Sequence, residues 1–273
     1  MKSVWRFGAS PQASVPALVN ACRSSNWRIA ALLTVTMLAA GCAVAVGGTA
    51  RPAPNLAPRS LSGRTIERVL LGDSALSRIV KQPLNIDPLF PPIFGGPETL
   101  RGGPAAWPAD CVGVLLMMQQ SAYQSSNVKN VALQTWRPEA MSAAVTRVKE
   151  GVVSLPTAAD ADALFANFSR QWQTCDGKTI PMSEGMFGLK VKVTDVQASS
   201  SVVAATISIG PSLPVPHSPS IPAGRAIGVR GNCLVEVEVD FSNGPKSSPG
   251  SGDINATALD IAQIMRDKVT ALS

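Results

Sequence analysis

The sequence predicts an α+β fold: one domain in which an antiparallel sheet carries about three helices. Two observations lead to this prediction. First, segments with helical and strand periodicity alternate in the order helix, three strands, helix, several strands, helix. Second, Val235, Val237 and Val239 alternate with acidic residues, which is typical of an antiparallel strand. Because the first part of the 273 residues lacks these patterns, the remaining length favours a single domain.

The N-terminal segment has the features of an export signal. Arg23 and Arg28 precede an uncharged apolar run from Ile29 to Ala40. A helix that crosses a bilayer needs about 20 apolar residues, so this run is too short for a stable transmembrane anchor. It ends in Leu38-Ala-Ala-Gly-Cys42, which resembles the lipobox of bacterial lipoproteins. The resemblance implies cleavage after residue 41 and acylation of Cys42, whereas ordinary secretory cleavage would leave Cys42 unmodified.

Residues 42 to 63 form the predicted tether, because alanine, glycine and proline dominate and Pro52, Pro54 and Pro58 interrupt regular structure. Four of the 24 basic residues and none of the 18 acidic ones precede Cys42, so a chain that begins there carries only about +2. This charge does not favour a nucleic-acid partner. The basic residues just after Cys42 fit either an anionic membrane surface or a solvated linker.

The folded part is expected to begin at Arg64 with a short helix before Pro83. Asp73 or Ser74 is the expected cap of this helix. The proline- and glycine-rich stretch from Pro83 to Pro108 follows as a candidate lid or cleft wall.

Three strands are expected next, and then a helix. The strand segments are 111–119, 128–136 and 145–155, which are apolar or rich in β-branched residues. Thr157 and Asp160 have the spacing of a capping box, and Gly177 is placed to end the helix near Cys175. Its apolar residues recur at helical spacing and predict a core face rather than a cofactor site: Ala161, Leu164, Phe165, Phe168 and Trp172.

The last third of the chain predicts strands at 189–196, 202–209 and 225–240, and a closing helix capped by Asp253. The acidic row Glu236, Glu238 and Asp240 is expected on a solvated face, with paired catalytic carboxylates as the alternative. A proline-rich loop between residues 211 and 222 contains the only histidine, His217.

The cysteines predict one disulfide rather than a metal site. With Cys22 in the leader and Cys42 acylated, Cys111, Cys175 and Cys233 remain, and spacing alone leaves all three pairings open. They are far apart in sequence, so no metal and no cofactor is predicted. The sequence also lacks a Gly-x-Ser-x-Gly elbow and a phosphate-binding loop, which favours a protein that is not an enzyme.

Several segments together resemble the extracellular sensor domain of mycobacterial membrane serine/threonine kinases of the PknH type, which also occurs on lipoproteins. The resemblance covers residues 65 to 269. Its matching segments are 66–76, 109–113 with Tyr123 downstream, 152–179 and the C-terminal strand and helix, and the most specific part runs from Pro156 to Thr179.

This resemblance implies a twisted antiparallel sheet with helices packed on it, and a cleft for an unidentified ligand. It also implies a Cys111–Cys175 disulfide that joins the first strand to the end of the main helix. The family's second disulfide would fall near Ala223 and Asp240, where this chain has no cysteine. Cys233 is then expected as a buried thiol or, alternatively, in an intermolecular bridge.

The expected function is that of a lipid-anchored, extracytoplasmic ligand-binding or sensor protein on the cell membrane. Its expected partners are the membrane, through the anchor, and a small ligand or an envelope protein. A structural or adaptor protein of the envelope is the alternative. Tyr123 and Arg137 are candidate groove residues, although core or surface placement is the simpler interpretation for each.

Overall fold

The computed structural model describes residues 58–102, 110–140, 143–182, 188–213, 220–242 and 254–273. Residues Asn55–Ser273 form a compact unit that contains every described element. The predicted export signal, Cys42, His217 and Asp253 lie outside the described residues. The helices are α1 (Asp73–Val80), α2 (Val112–Leu115), α3 (Gln120–Tyr123), α4 (Ala158–Cys175) and α5 (Ile254–Leu272). The strands are β1 (Leu84–Ile86), β2 (Ile93–Gly95), β3 (Asn130–Pro138), β4 (Val145–Ser154), β5 (Thr179–Pro181), β6 (Leu189–Ala198), β7 (Val202–Pro211), β8 (Ile221–Arg230) and β9 (Cys233–Phe241).

The nine strands form one antiparallel sheet in the order β1-β3-β4-β9-β8-β7-β6-β5, and β2 also pairs with β3. The predicted α+β class is therefore confirmed. Hairpins connect β3 with β4, β6 with β7 and β8 with β9. The pairing of β4 with β9 brings together segments that are far apart in sequence, and it places β9 in the interior of the sheet.

The two long helices cover opposite faces of the sheet. The face of α4 carries Leu164, Phe168 and Trp172 in one hydrophobic cluster. The face of α5 carries Ile261 and Met265 in the other. Burial of these apolar stripes supplies most of the stabilisation, at about 25 cal/mol per Å² of apolar surface. We call the two sides of the sheet the α4 face and the α5 face.

The predicted ends of α4 are confirmed. The Asp160 N–H donates to the Thr157 hydroxyl at 3.1 Å, and the Thr157 N–H donates to the Asp160 carboxylate at 3.1 Å. After the helix, Gly177 has φ +74°, a conformation that costs glycine little. Its N–H donates to the Val193 carbonyl at 3.0 Å, which attaches the end of the helix to β6.

The predicted strand at 111–119 is wrong. Val112–Leu115 forms the single-turn helix α2, and all four of its residues are buried. An apolar run that is buried on all sides has no periodicity, so sequence alone does not distinguish strand from helix. Cys111 and Cys175 do form a disulfide, as the family resemblance implied. The bond joins α4 to the start of α2, however, and not to a strand.

The chain enters the fold earlier than the predicted tether boundary. Leu61 is buried, and its N–H donates to the Asn232 side chain at 2.8 Å. A 3-10 helix at Gly63–Val69 follows, and α1 begins after Gly72 rather than with Asp73 or Ser74 as its cap. On the α5 face, the Leu71 N–H donates to buried Glu150 at 3.0 Å.

The stretch 83–102 is part of the sheet edge. Strands β1 and β2 both pair with β3, and neither was predicted. The remainder of the candidate lid, residues 103–108, lies outside the described residues. Within the described ranges, no helix is both long and apolar enough to cross a membrane.

Candidate functional site

Charged side chains form a cluster within the α4 face of the sheet. The prediction that the acidic face of β9 is solvated is wrong, because the side chains of Glu236 and Glu238 are buried, at 1% and 4% exposure. The valines that alternate with them are buried on the α5 face. Both faces of β9 are covered, because α5 packs on the side of the valines and α2, α3 and α4 lie over the acidic side.

Acidic residues of β9 lie beside basic residues of both neighbouring strands. Lys149 of β4 and Arg225 of β8 are the register partners of Glu238. The Lys149 ammonium forms an ion pair with the Glu238 carboxylate, and Arg225 Nη1 lies 3.6 Å from it. Opposite charges at directly paired positions stabilise an antiparallel pair. We call Arg147, Lys149, Arg225, Glu236, Glu238 and Asp240, together with Tyr123, the charged cluster.

Glu236 lies at the deep end of the charged cluster. Its carboxylate accepts hydrogen bonds from the Tyr123 hydroxyl at 2.5 Å and from Arg225 Nη2 at 3.1 Å. The Met118 N–H donates to it at 3.3 Å. Met118 has φ +56°, which is unusual for a residue with a side chain, and such strain occurs most often at functional sites.

The approach of Met118 to the sheet depends on Gly151. A Cβ at Gly151 would lie 2.0 Å from the Met118 methyl carbon, so a larger residue would force the end of the Met118 side chain to move. Gly151 is the register partner of Glu236 on β4. The glycine therefore provides the space that the Met118 side chain occupies beside the acidic strand.

Arg225 connects the sheet to the segment above it. Its guanidinium donates to the Gly113 and Val114 carbonyls at 2.8 and 3.3 Å. It also lies 5.6 Å from the centre of the Trp172 ring on α4. Among the described residues, neither Arg225 Nη1 nor the Trp172 indole N–H has a hydrogen-bond partner, although both atoms are buried. One arginine thus contacts α2, α4 and two carboxylates of β9.

The burial of the charged cluster decreases towards Asp240 and Arg147. Side-chain exposure is 2% at Glu236, 15% at Asp240 and 39% at Arg147. Arg147 Nη1 lies 3.8 Å from the Asp240 carboxylate. The exposed end of the cluster therefore offers both a cation and an anion to a molecule in solution.

The carboxyl groups titrate differently along the cluster. Burial raises the pKa of Glu236, and burial together with the Glu236 charge raises the pKa of Tyr123. Burial also favours the neutral form of Glu238, but the charges of Lys149 and Arg225 outweigh it and lower the pKa of Glu238. Burial and the nearby Glu238 charge raise the pKa of Asp240 to about 6. The carboxyl group nearest to solvent therefore changes charge near neutral pH.

The other predicted residues lie at separate places. Tyr123 belongs to the charged cluster, whereas Arg137 is exposed at the sheet edge, where its register partner is Asn85. Cys233 is buried and unpaired on β9, and burial raises the pKa of its thiol to about 12. Ala223 and Asp240, where the family's second disulfide would lie, are register partners on β8 and β9. Cysteines at these two positions would therefore lie directly opposite each other on neighbouring strands.

Arg225, Lys149 and Arg147 were not predicted as site residues. Their signal in the sequence is the alternation of basic and apolar residues on β4 and the arginine in the middle of apolar β8. Each is interpretable only after β9 is known to lie between β4 and β8. Within the described residues, no group of three or more metal-ligating side chains has a suitable arrangement for an ion.

A depression of about 470 Å³ lies away from the cluster, between α1 and β1. Its lining is mainly polar and includes Asp73, Arg78, Lys81 and Glu139. It is wide open and has few apolar side chains, so it lacks the enclosed surface of a typical small-molecule site.

Comparisons with known proteins indicate the same fold. The family model for the PknH-like extracellular domain matches residues 61–268. The crystal structure of the extracellular domain of PknH from Mycobacterium tuberculosis is similar at 19% identity and a TM-score of 0.64, covering 79% of this chain and all of that one. A putative uncharacterized protein from Mycobacterium smegmatis has 14% identity and a TM-score of 0.38, covering 76% of this chain and 96% of that one. No curated protein matches the chain significantly.

Proposed function

The chain belongs to the family of PknH-like extracellular domains, and from this membership we propose that it is a lipid-anchored, non-enzymatic sensor lipoprotein. The domain is of the extracytoplasmic sensor type. In the proposal, acylated Cys42 holds it on the outer side of the cell membrane. The domain then binds a polar ligand at the exposed end of the charged cluster.

The observation that carries the ligand-binding proposal is the grouping of six charged side chains on one sheet face, of which Arg225, Glu236 and Glu238 are buried. Removing such groups from water is costly, and apolar residues of similar volume often stabilise a protein as well or better. Clusters with perturbed pKa values are more frequent at functional sites than elsewhere. Since the cluster opens at Arg147 and Asp240, these two residues are the proposed contacts for a ligand.

Thermal denaturation of the unit Asn55–Ser273 tests this proposal. The probes are dicarboxylates, phosphorylated sugars and short peptides, which carry groups complementary to Arg147 or Asp240. A binding probe raises the Tm by mass action. We expect Arg147→Gln and Asp240→Asn to abolish the increase, and the exposed control Arg137→Gln to retain it. An increase that all three variants retain would place binding elsewhere.

The anchoring proposal has its own test. Intact mass spectrometry of the protein from its native membrane should show a chain that begins at Cys42 and carries fatty acyl groups. Two acyl chains give durable attachment, whereas one gives only marginal binding. A chain that retains residues before Cys42, or an unmodified Cys42 thiol, contradicts the proposed anchor.

One observation favours an adaptor function instead. The buried carboxylates already have protein partners, because Arg225 and Tyr123 contact Glu236 while Lys149 contacts Glu238. A cluster whose charges are paired internally can serve to hold α2 and α4 in place for protein contacts. Crosslinking in intact cells distinguishes the two: an adaptor yields a defined envelope protein partner, and no probe raises its Tm.

A further inference from the structure

An apolar protrusion lies at the edge of the sheet, between β1 and β2. Its residues, Pro88 to Ile93, read Pro-Leu-Phe-Pro-Pro-Ile and are all exposed. Leu89 is 79% exposed and Phe90 is 40% exposed. We call these six residues the apolar tip. Large apolar side chains that are exposed together mark a contact surface more often than those that occur singly.

The protrusion is ordered from its base. Asp87 is buried, and its N–H donates to the Thr135 carbonyl at 2.9 Å. The Asp87 side chain accepts from the Leu89 N–H at 3.0 Å, and its carbonyl accepts from the Phe90 N–H at 3.0 Å. Ile86, two residues before the tip, and Ile93, its last residue, pair with Trp136 and Leu133 of β3. Prolines restrict the chain further. Because the segment is already ordered, it loses little conformational entropy when its exposed apolar side chains bind a surface.

Two arginines lie close to the apolar tip, and each also forms an ion pair, Arg64 with Glu67 and Arg147 with Asp240. The Arg147 guanidinium lies 5.5 Å from the centre of the Phe90 ring, and the Arg64 guanidinium lies 4.9 Å from that of Phe94. An apolar projection with arginines at its base matches a bilayer surface, where phosphates lie outside the acyl chains. Basic residues near an anionic leaflet gain electrostatic attraction that salt screens.

The chain passes the same strand two residues after Leu61, which contacts Asn232. The Gly63 N–H donates to the side chain of Asn130, the first residue of β3, at 2.8 Å. An extended chain spans at most about 3.5 Å per residue, so the residues from Cys42 to Gly63 reach at most about 70 Å. An anchor at Cys42, which this step takes from the proposed function, therefore keeps the β3 edge within reach of the bilayer.

We propose that the apolar tip is a membrane-contact site for an anionic phospholipid surface. Leu89 and Phe90 insert at the boundary between headgroups and acyl chains, while Arg64 and Arg147 face the lipid phosphates. A stable protein interface buries roughly 800 Å² per partner, which is a large area for a six-residue protrusion. A bilayer accepts a small, convex apolar projection without a complementary cavity.

Vesicle flotation of the unit Asn55–Ser273, which lacks Cys42, tests the tip separately from the anchor. With phosphatidylglycerol in phosphatidylcholine vesicles we expect binding that weakens with salt. The double variant Leu89→Ser, Phe90→Ser should bind at least about tenfold more weakly. Ile264→Ser is the matched control, because Ile264 is an exposed apolar residue on α5 and should not affect binding.

A second measurement uses the full acylated chain in the same vesicles. A polarity-sensitive dye on Leu89→Cys should show a blue-shifted emission, whereas the same dye on Gln173→Cys of α4 should not.

Equal vesicle binding by the double variant and the parent protein overturns the proposal, as does the absence of both flotation and a blue shift. Tip-dependent dimerisation without vesicle binding also overturns it and assigns the tip to self-association. Since flotation does not need Cys42, failure of the anchor leaves this result interpretable.

Discussion

At the scale of single residues, Arg225 has the most consequential contacts in the chain. It is fully buried, and its guanidinium contacts Glu236, Glu238 and two carbonyls of α2. A buried ion pair adds little net stability compared with apolar residues, but loss of one partner leaves an uncompensated buried charge. Removal of Arg225 is therefore more damaging than its ion pairs alone would suggest.

Arg225→Met tests this asymmetry. The variant keeps most of the side-chain volume but leaves Glu236 without its cation, so we expect the free energy of unfolding to fall by about 3–5 kcal/mol. Urea denaturation measures the change. The exposed control Arg137→Met should change stability by no more than about 0.5 kcal/mol. Similar stabilities for the two variants would show that the buried charge is already neutral or hydrated.

Glu150 predicts a pH dependence that can be isolated by one variant. Its carboxylate lies on the α5 face and accepts from the Leu71 N–H and the Trp136 indole N–H, while burial raises its pKa to about 7. A carboxyl group whose pKa is raised by folding binds its proton more tightly in the folded state. Its contribution to stability therefore increases as the pH falls from about 8 to 5, and it decreases as the pH rises.

As the pH falls from 8 to 5, we expect the unfolding free energy of the native chain to rise relative to that of Glu150→Gln. The measurement is the difference in unfolding free energy between the two proteins at pH 8 and again at pH 5. Asp240→Asn, at the cluster's exposed end, should reveal the same dependence about one pH unit lower, because the pKa of Asp240 is about 6. A difference between native and Glu150→Gln that does not change with pH would mean that Glu150 stays charged.

At the scale of elements, local signals were sufficient for some segments and not for others. Helix α4 was predicted with its capping box and its terminal glycine, because the capping box joins residues three positions apart and glycine adopts a positive φ without a contact partner. Strand β9 was predicted as a strand, but its acidic face was misassigned. The alternation of apolar and polar residues shows which side chains share a face, but not whether a distant helix covers that face.

The Cys111–Cys175 disulfide joins the two elements that cover the charged cluster. It closes a segment of 64 residues and holds α2 against the end of α4. In the chain-entropy model, the loss of such a crosslink costs about 4 kcal/mol. The double variant Cys111→Ala, Cys175→Ala should show this loss in urea denaturation. Cys233→Ala, a control for the removal of a buried cysteine, should lose only about 1 kcal/mol. Equal losses would mean that packing alone holds α2 in place.

At the scale of the whole molecule, the charged cluster exists because segments distant in sequence become neighbours. Glu238 lies between Lys149 and Arg225 only when β9 lies between β4 and β8. No local pattern determines this strand order, since the hairpin β8–β9 can pair with other edges. The order of helical and strand segments predicted the fold class, and the family resemblance implied the disulfide, but neither placed the basic residues of β4 and β8 beside the acidic residues of β9.

The same strand order predicts how stability is distributed. Strands β4, β9 and β8 lie in the interior of the sheet, and α4 and α5 cover its two faces. Strands β1, β2 and β5 have three residues each and lie at the edges. Local opening requires less free energy where fewer buried contacts are lost. Hydrogen exchange measured by mass spectrometry should therefore show the slowest amide exchange in β4, β8 and β9, and the fastest among strands in β1, β2 and β5.

In the variant Arg225→Met, protection from exchange should fall first in α2 and β8, where the Arg225 contacts lie, and last in α5 on the opposite face. Uniform loss across the sheet would instead indicate that the cluster stabilises the domain only as part of one cooperative unit.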